Sequence, residues 1–189
     1  MIVPTSGRTT LGASLASAAH QLEPGDELIV LRNRDYDFGT KARNDGMARA
    51  KGTHLLFLDD DDEYMAGALE KMRRFAADNP ERIGIFREEL ASGALHWGSP
   101  EFALGNVGSV LFCVPNLPEK LGIWDKLGDD WRPSDWVFIS QTAELMGDPL
   151  FVDEVVVRQR PGGTFATPLD RIRYRLRART RVRKALDRI

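Results

Sequence analysis

The sequence has little of what marks secreted, disulfide-stabilised or membrane-spanning proteins. Its 189 residues include a single cysteine, Cys113, so no internal disulfide can form, and this fits a reducing compartment. No apolar run approaches the roughly 20 residues that a membrane-spanning helix needs. The first residues already have the pattern of a strand, so we expect no signal peptide. These absences predict a cytoplasmic chain without a transmembrane segment.

Charge is distributed unevenly along the chain. The net charge is −2, but residues 170–189 carry nine basic and two acidic residues (+7), whereas the remaining 169 carry 17 basic and 26 acidic residues (−9). Thr167-Pro168-Leu169-Asp170 has the pattern of a helix start, although the alternating arginines that follow have the period of a strand. We expect a helix, because arginines along one face of an isolated strand would repel one another. The sequence therefore predicts a folded domain at 1–165 and an Arg-rich helical tail at 166–189.

Strand-like and helix-like segments alternate through the first 60 residues. Short apolar runs bounded by turn signals are typical of buried strands, and apolar residues three and four apart are typical of helices. We expect strands at residues 2–3, 27–31, 54–58, 82–87, 109–114 and 150–158, and helices at 11–22, 41–50, 66–77 and 134–146. The opening β-α-β-α-β order indicates parallel strands joined by right-handed crossovers. The expected fold class is α/β, a single Rossmann-like domain with a mostly parallel central sheet flanked by helices.

The segment His54 to Tyr64, HLLFLDDDDEY, joins an apolar strand to concentrated negative charge. Ligands of open α/β sheets bind at the carboxyl ends of strands, which is where Asp59 to Asp62 would lie. Four adjacent carboxylates repel one another, so a bound cation would stabilise them, and hard oxygen ligands favour Mg²⁺, Mn²⁺ or Ca²⁺. An EF-hand calcium loop is excluded, because Tyr64 stands where that loop needs glycine. We expect a divalent-metal site that holds a phosphorylated ligand, with a solvated acidic loop as the structural alternative.

Two further segments have both a functional and a structural interpretation. Residues 41–46, KARNDG, would form a helix with a solvated basic face. Next to a phosphorylated ligand, however, Arg43 would bind it through planar, charge-assisted hydrogen bonds. Ser134 is expected to be the N-cap of a helix, with Asp135 in its first turn, where the helix dipole favours a carboxylate. Alternatively, Asp135 would face the same cleft and act as a general base.

In combination, these segments resemble the family-2 glycosyltransferases of the GT-A fold. The matching stretches are, in order, PTSGR, ELIVL, KARNDGMARAKGTHLLFLDDDD, SDWVFI and VDEVVVRQR. In that family the third stretch is an A-R-N-x-G helix followed by F-L-D-x-D-D at the metal site, and the fourth is a catalytic E-D motif. The similarity covers about residues 1–160, and its specific part is the block from ARNDG to DDDD, where order and spacing both fit. It implies an inverting, metal-dependent enzyme that moves a sugar from a nucleotide-diphospho-sugar to an acceptor hydroxyl.

The resemblance implies roles for individual residues. Asp61 would be the main ligand of Mn²⁺ or Mg²⁺, together with Asp59. Asp60 would lie near the ribose, and Arg43 would contact the nucleotide. Asp135 would be the general base that deprotonates the acceptor hydroxyl. The implied donor-binding residues are Pro4, Thr5, Arg8, Asn33, Arg43, Asp59 and Asp60, of which the first two would line the base pocket.

The sequence also departs from the family pattern. Ser6-Gly7 replaces a Tyr-Asn pair, so an aromatic surface for the base is lost. The family's base-contacting aspartate is missing after the second strand, where Asn33, Asp35 or Asp37 would replace it. Ser134 replaces the glutamate of the E-D motif, and no histidine follows the last strand. These departures leave a second interpretation open, a non-catalytic nucleotide-sugar or metal-binding module of the same fold.

Other functions and partners are less constrained by the sequence. A sugar-phosphate nucleotidylyltransferase is disfavoured, because the N-terminal glycine-rich phosphate loop that it needs is absent. The acceptor can be a glycan, a lipid-linked molecule, a protein or a modified nucleic acid. The glycine-rich segment 88–110, with Trp97 and Phe102 exposed or half-buried, is expected to shape its site. The basic tail would pack on the acidic domain, or contact an anionic membrane at its inner face or nucleic acid. Asp62 is expected to be structural.

Overall fold

The computed structural model describes residues 1–35 and 37–160 of the chain. In chain order its strands are β1 (Ile2–Thr5), β2 (Ile29–Arg32), β3 (His54–Leu56), β4 (Asp62–Tyr64), β5 (Gly84–Glu89), β6 (Leu95–His96), β7 (Phe112–Pro115) and β8 (Leu150–Gln159). Its α-helices are α1 (Leu11–Ala19), α2 (Thr40–Met47), α3 (Ala68–Asp78) and α4 (Ser134–Met146). The predicted tail helix at 166–189 and the domain boundary at 165 lie outside the described residues.

The strands form one curled layer with helices packed against it. β1 pairs with β2 in parallel, and Ile2 bridges to Phe57 in parallel just after β3. Beyond β3 the order continues β7, β5, β8 and β4, with β6 on the side of β5. None of the helices in the described part of the chain combines the length and the apolar character that a bilayer crossing requires.

The expected α/β domain is confirmed, but its sheet is mixed rather than mostly parallel. The parallel pairs are β1 with β2, which α1 connects, and β5 with β8, which are far apart in the chain. In contrast, β7 pairs antiparallel with both β3 and β5, and β4 pairs antiparallel with β8. No helix precedes β4 or β7 as a crossover, and without one a strand is free to run antiparallel. An apolar run in the sequence does not encode that direction.

An aromatic cluster fills the core beneath the carboxyl ends of the central strands. The Trp124 and Phe138 rings stack with centroids 4.5 Å apart, and Phe57 meets both edge-on. Edge-on and offset ring contacts add to the free energy gained from burial alone. Because Phe138 lies on α4 and Phe57 follows β3, this cluster fixes the start of α4 relative to the acidic segment.

Close helix packing positions α2 in the same way. A Cβ atom added to Gly46 would lie 2.6 Å from Cγ2 of Ile2, closer than packed carbons approach. Glycine at this position therefore lets α2 lie directly on β1. The helix carries Arg43 toward the carboxyl ends of β1 and β3.

Candidate active site

The acidic segment turns sharply at the end of β3 and is largely buried. Asp60, Asp61 and Asp62 are each at most 7% exposed. One Asp60 carboxylate oxygen accepts hydrogen bonds from the Thr5 hydroxyl at 2.7 Å and the Ser6 amide at 3.0 Å, and the Asp60 carbonyl accepts one from the Thr10 hydroxyl at 2.6 Å. Asp60 therefore ties the acidic turn to the loop that follows β1.

The other three aspartates form a cluster of concentrated negative charge. Asp59, Asp61 and Asp62 each offer a carboxylate oxygen, and these atoms lie within 4.8 Å of one another. Burial, together with the nearby Asp59 and Asp60 carboxylates, raises the pKa of Asp61 to about 6, against the opposing charge of Arg8. Burial and the neighbouring carboxylates also raise the pKa of Asp62 well above its usual range. Ionising these groups together is costly, so a cation among them would stabilise the ionised forms.

The residues present fit a divalent cation. Three carboxylate oxygens within 4.8 Å of one another form an all-oxygen ligand set, which suits Mg²⁺ or Mn²⁺. Asp59 and Asp61, expected as metal ligands, both belong to this set, and so does Asp62, which was expected to be structural.

Two arginines bring positive charge to the cluster. Arg8 pairs with Asp61 and, at 3.2 Å, with Asp60. Arg43 is 4% exposed and pairs with Asp59, and its second amino group donates to the Phe38 carbonyl at 2.7 Å. Its guanidinium lies over the Trp124 ring, 4.7 Å from the centroid. Arg43 is thus held on several sides, which fixes its position at the wall of the cleft.

One cleft, with a volume of about 190 Å³, is lined by nine residues to which the sequence analysis gave a donor, metal or catalytic role; Asp35 and Asp37, the alternatives to Asn33, do not line it. These nine residues are Pro4, Thr5, Arg8, Asn33, Arg43, Asp59, Asp60, Asp61 and Asp135. They come from five separate stretches of the chain, which the fold brings together at the carboxyl ends of β1, β2 and β3. Their individual roles stay predictions.

Asp135 is the second residue of α4 and faces this cleft. One of its carboxylate oxygens accepts a hydrogen bond from the Trp136 amide at 2.8 Å. Burial, opposed in part by that amide and by Arg43, raises the pKa of Asp135 above its usual range. A carboxylate with a raised pKa is a stronger base when it is ionised, as proton abstraction from a hydroxyl requires. The expected N-cap role of Ser134 is wrong: Pro133 holds the cap position, and Ser134 is the first helical residue.

Several cleft residues were missed by the sequence analysis. They are Phe38, Gly39, Ser109, Trp124 and Arg132; Ser6 and Ser134, noted only as departures from the family pattern, also line the cleft. Ser109 accepts a hydrogen bond from Arg43 at 3.3 Å, but the sequence indicated only an apolar strand around it. Trp124 lies in a stretch whose pattern favours neither helix nor strand. The Phe38-Gly39 turn gave no signal, because phenylalanine rarely adopts the left-handed conformation that it has here.

Trp97 and Phe102, the two aromatic residues expected to shape the acceptor site, differ in their ring contacts. Trp97 was expected to be exposed or half-buried but is 5% exposed, and its ring packs edge-on against Phe151, with centroids 5.0 Å apart. Phe102 instead packs against Trp136, the neighbour of Asp135, at a centroid distance of 5.0 Å. His96 also approaches this side, with its Nδ1 3.3 Å from the buried Glu88 carboxylate. Of the two aromatics, Phe102 is the one that packs against the sequence neighbour of the predicted base.

Comparisons with known proteins bear on the family and the fold of the chain. The family model described as Glycosyl transferase family 2 matches residues 13–106, a stretch that includes Arg43 and the acidic turn and ends before Asp135. No curated protein matches the sequence.

Solved structures of similar fold include several of TarS from S. aureus. The crystal structure of TarS 1-349 aligns with a TM-score of 0.63 at 17% identity, covering 85% of this chain and 60% of that one. The complexes with UDP-GlcNAc and with UDP align with TM-scores of 0.60 and 0.59 at 16% and 17% identity, covering 84% of this chain and 57% and 59% of theirs. The chain therefore spans less than two thirds of these proteins. At these identities the likeness concerns the fold, and it confirms the expected GT-A domain.

Proposed function

We propose that this chain, which belongs to glycosyltransferase family 2, is an inverting glycosyltransferase that moves a sugar from a nucleotide-diphospho-sugar to an acceptor hydroxyl. One observation carries the proposal: Asp59 and Asp61 of the acidic cluster and the separate carboxylate of Asp135 line the same cleft, together with Arg43. Charge for a diphosphate and a base for a hydroxyl are the two components that this reaction requires.

The leaving-group side is the acidic cluster and its arginines. Asp61 and Asp59 would hold Mn²⁺ or Mg²⁺, which when bound acts as a Lewis acid on the departing diphosphate. Arg8 and Arg43 add positive charge to the same region. Pro4, Thr5 and Asn33 lie around them at the ends of β1 and β2, where the nucleoside would extend.

The acceptor side is Asp135. The acceptor oxygen forms a bond to the anomeric carbon, its proton goes to the Asp135 carboxylate, and the bond from that carbon to the diphosphate breaks, with the electron pair leaving on the nucleoside diphosphate. A single displacement with one base inverts the configuration at the anomeric carbon. Because Asp135 lines the same cleft as Asp59 and Asp61, its carboxylate would be available for such an attack.

The identity of the donor nucleotide is proposed only from the solved structures of similar fold. The TarS complexes with UDP-GlcNAc and UDP share the fold, so a UDP-sugar is the first donor to test, followed by GDP- and dTDP-sugars. The departures at Ser6-Gly7 and after β2 make this choice an experimental question.

The test compares wild type with Asp135→Asn. With Mn²⁺ and a UDP-sugar donor, Asp135→Asn is expected to lower transfer or donor hydrolysis by about 10²- to 10⁴-fold, the contribution of a positioned base. Because asparagine keeps the shape of the side chain, donor affinity should stay within about threefold. Wild-type activity should rise with pH as Asp135 loses its proton, and this rise should be missing in the variant.

A second candidate, the non-catalytic module, is favoured by the ion pair between Arg8 and Asp61, because an internal cation already offsets part of the acidic charge. The same assay separates the two. If wild type binds a nucleotide-sugar with Mn²⁺ but neither transfers nor hydrolyses any donor, the proposed enzyme activity is wrong and the binding module stands.

A further inference from the structure

Phe38 is an exposed aromatic residue at the wall of the cleft. Its side chain is 49% exposed, although large apolar side chains usually reach the core. Its backbone φ is +54°, the left-handed region that residues with bulky side chains rarely adopt. Unfavourable backbone conformations persist where the surroundings enforce them, and they concentrate at ligand-binding sites.

Three contacts enforce this conformation. The Asp37 carboxylate accepts hydrogen bonds from the amides of Gly39 at 3.1 Å and Lys41 at 3.0 Å. The Phe38 carbonyl accepts one from Arg43 at 2.7 Å. Since Asp37 is itself 5% exposed, the turn is anchored from within the domain, and the exposed ring is its outward-facing part.

Gly39, the residue after Phe38, is packed too closely for the turn to change its conformation. Gly39 has a φ of +83°, and a Cβ atom there would lie 2.9 Å from Cβ of Pro4 and 3.0 Å from a guanidinium nitrogen of Arg43. The turn is therefore pressed against β1 and α2. Phe38 lines the cleft together with Pro4, Asn33 and Arg43.

We propose that Phe38 is the surface on which the nucleobase of the donor stacks. The cleft combines converging carboxylates and arginines with one exposed aromatic ring, so its ligand should combine a charged polyoxygen group with a flat, weakly polar ring system. A nucleoside diphosphate has both parts. The inference rests on the proposed function, and it assigns to Phe38 the aromatic contact that Ser6 cannot make.

The test uses two substitutions of Phe38 in the full 189-residue chain. Phe38→Asn removes the ring but tolerates the left-handed backbone, and Phe38→Tyr keeps the ring as the matched control. Affinity is measured by calorimetry with Mn²⁺ for UDP, GDP, ADP, CDP and dTDP, and for inorganic pyrophosphate, which has no base. The melting temperature is measured for each protein.

Loss of stacking predicts a selective effect. Phe38→Asn should weaken the best-bound nucleoside diphosphate by about 10-fold or more, as expected for one base–aromatic stack. Pyrophosphate affinity should change by less than about twofold, and the melting temperature should be equal to or higher than that of wild type. Phe38→Tyr should bind the nucleotide like wild type.

Three other outcomes would overturn the inference, each in a different way. If Phe38→Asn binds the nucleotide as tightly as wild type, Phe38 is not the stacking surface, and the proposed function is unaffected. If it loses nucleotide and pyrophosphate equally, or melts at a lower temperature, the ring has a structural role. If wild type binds none of the five nucleotides with Mn²⁺, both the inference and the proposed function are wrong.

Discussion

At the two ends of the central strands, the fold shifts the pKa values of aspartate side chains in opposite directions. At the amino end, Asp26 lies by a groove lined mainly by apolar residues, among them Leu22, Leu69 and Met72. Burial favours its neutral form, but the Glu23 amide and Arg73 outweigh this effect and lower the pKa of Asp26. At the carboxyl end, burial and its neighbours raise the pKa of Asp61 to about 6.

The opposite pKa shifts of Asp26 and Asp61 show which of the two charges the fold itself stabilises. Asp26 accepts a hydrogen bond from the Glu23 amide at 2.8 Å and pairs with Arg73 at 2.9 Å, so its ionised form favours folding. Ionised Asp61 has Arg8 but also two other carboxylates within 4.8 Å, so its ionised form opposes folding. The fold tolerates such a cost at a binding site, because a bound cation removes it.

The largest stability effect is expected at the amino end, where packing alone is at stake. Met72 is 1% exposed, so Met72→Ala leaves a cavity and should lower the free energy of unfolding by about 2–5 kcal/mol in urea denaturation. Nucleotide affinity, measured well below the melting temperature, should stay unchanged. Leu145→Ala is the control, since Leu145 is 57% exposed on α4, and it should change stability by less than about 0.5 kcal/mol. A nucleotide affinity lowered by Met72→Ala would show that the two ends are coupled.

The next largest effect is the pH dependence of the acidic cluster. Because folding raises the pKa of Asp61 from 3.8 to about 6, the metal-free folded state holds more protons between these pH values. Its unfolding free energy should therefore fall as pH rises from about 4 to 6, by about 2–3 kcal/mol from this residue. Mn²⁺ competes with the proton, so it should raise the melting temperature more at pH 7.5 than at pH 5.

Asp61→Asn tests the assignment of this effect. The variant should lose most of the Mn²⁺ response, and its metal-free form should be more stable than wild type at pH 7, because the unfavourable charge is gone. Asp78→Asn, which removes an exposed carboxylate at the end of α3, is the control and should retain the wild-type pH profile. A wild-type stability that is flat between pH 4 and 6 would contradict the prediction.

Local features of the fold and of the candidate site could be predicted from the sequence. The segment HLLFLDDDD indicated an acidic strand end, because a short apolar run and a carboxylate cluster are local features that a linear sequence displays. The helices carrying Arg43 and Asp135 were predicted for the same reason, and α4 has the predicted bounds. The fold class followed from the alternation of these local elements.

Features that depend on distant parts of the chain were not predictable. The direction of β7 depends on its partners in the sheet, and the short strand β4 pairs with residues nearly 100 positions away. Trp124 enters the site through its stack with Phe138 and its contact with Arg43, neither of which has a sequence pattern. The left-handed backbone of Phe38 is set by contacts of Asp37 and Arg43 against the usual preference of phenylalanine.

The smallest expected effect has the opposite sign to that of Asp61. Because the pKa of Asp26 is lowered by folding, its ionised form stabilises the fold above pH 4 and this contribution is lost as pH falls through the lowered pKa. Asp26→Asn should therefore lower the unfolding free energy at pH 7 by no more than about 1 kcal/mol, since the pair is partly exposed, and the difference from wild type should vanish near pH 2. Glu23→Gln, which removes the more exposed partner of Arg73, should have a smaller effect. If Asp26→Asn were instead more stable at pH 7, the charge at the amino end would oppose folding as Asp61 does, and the two ends would not differ.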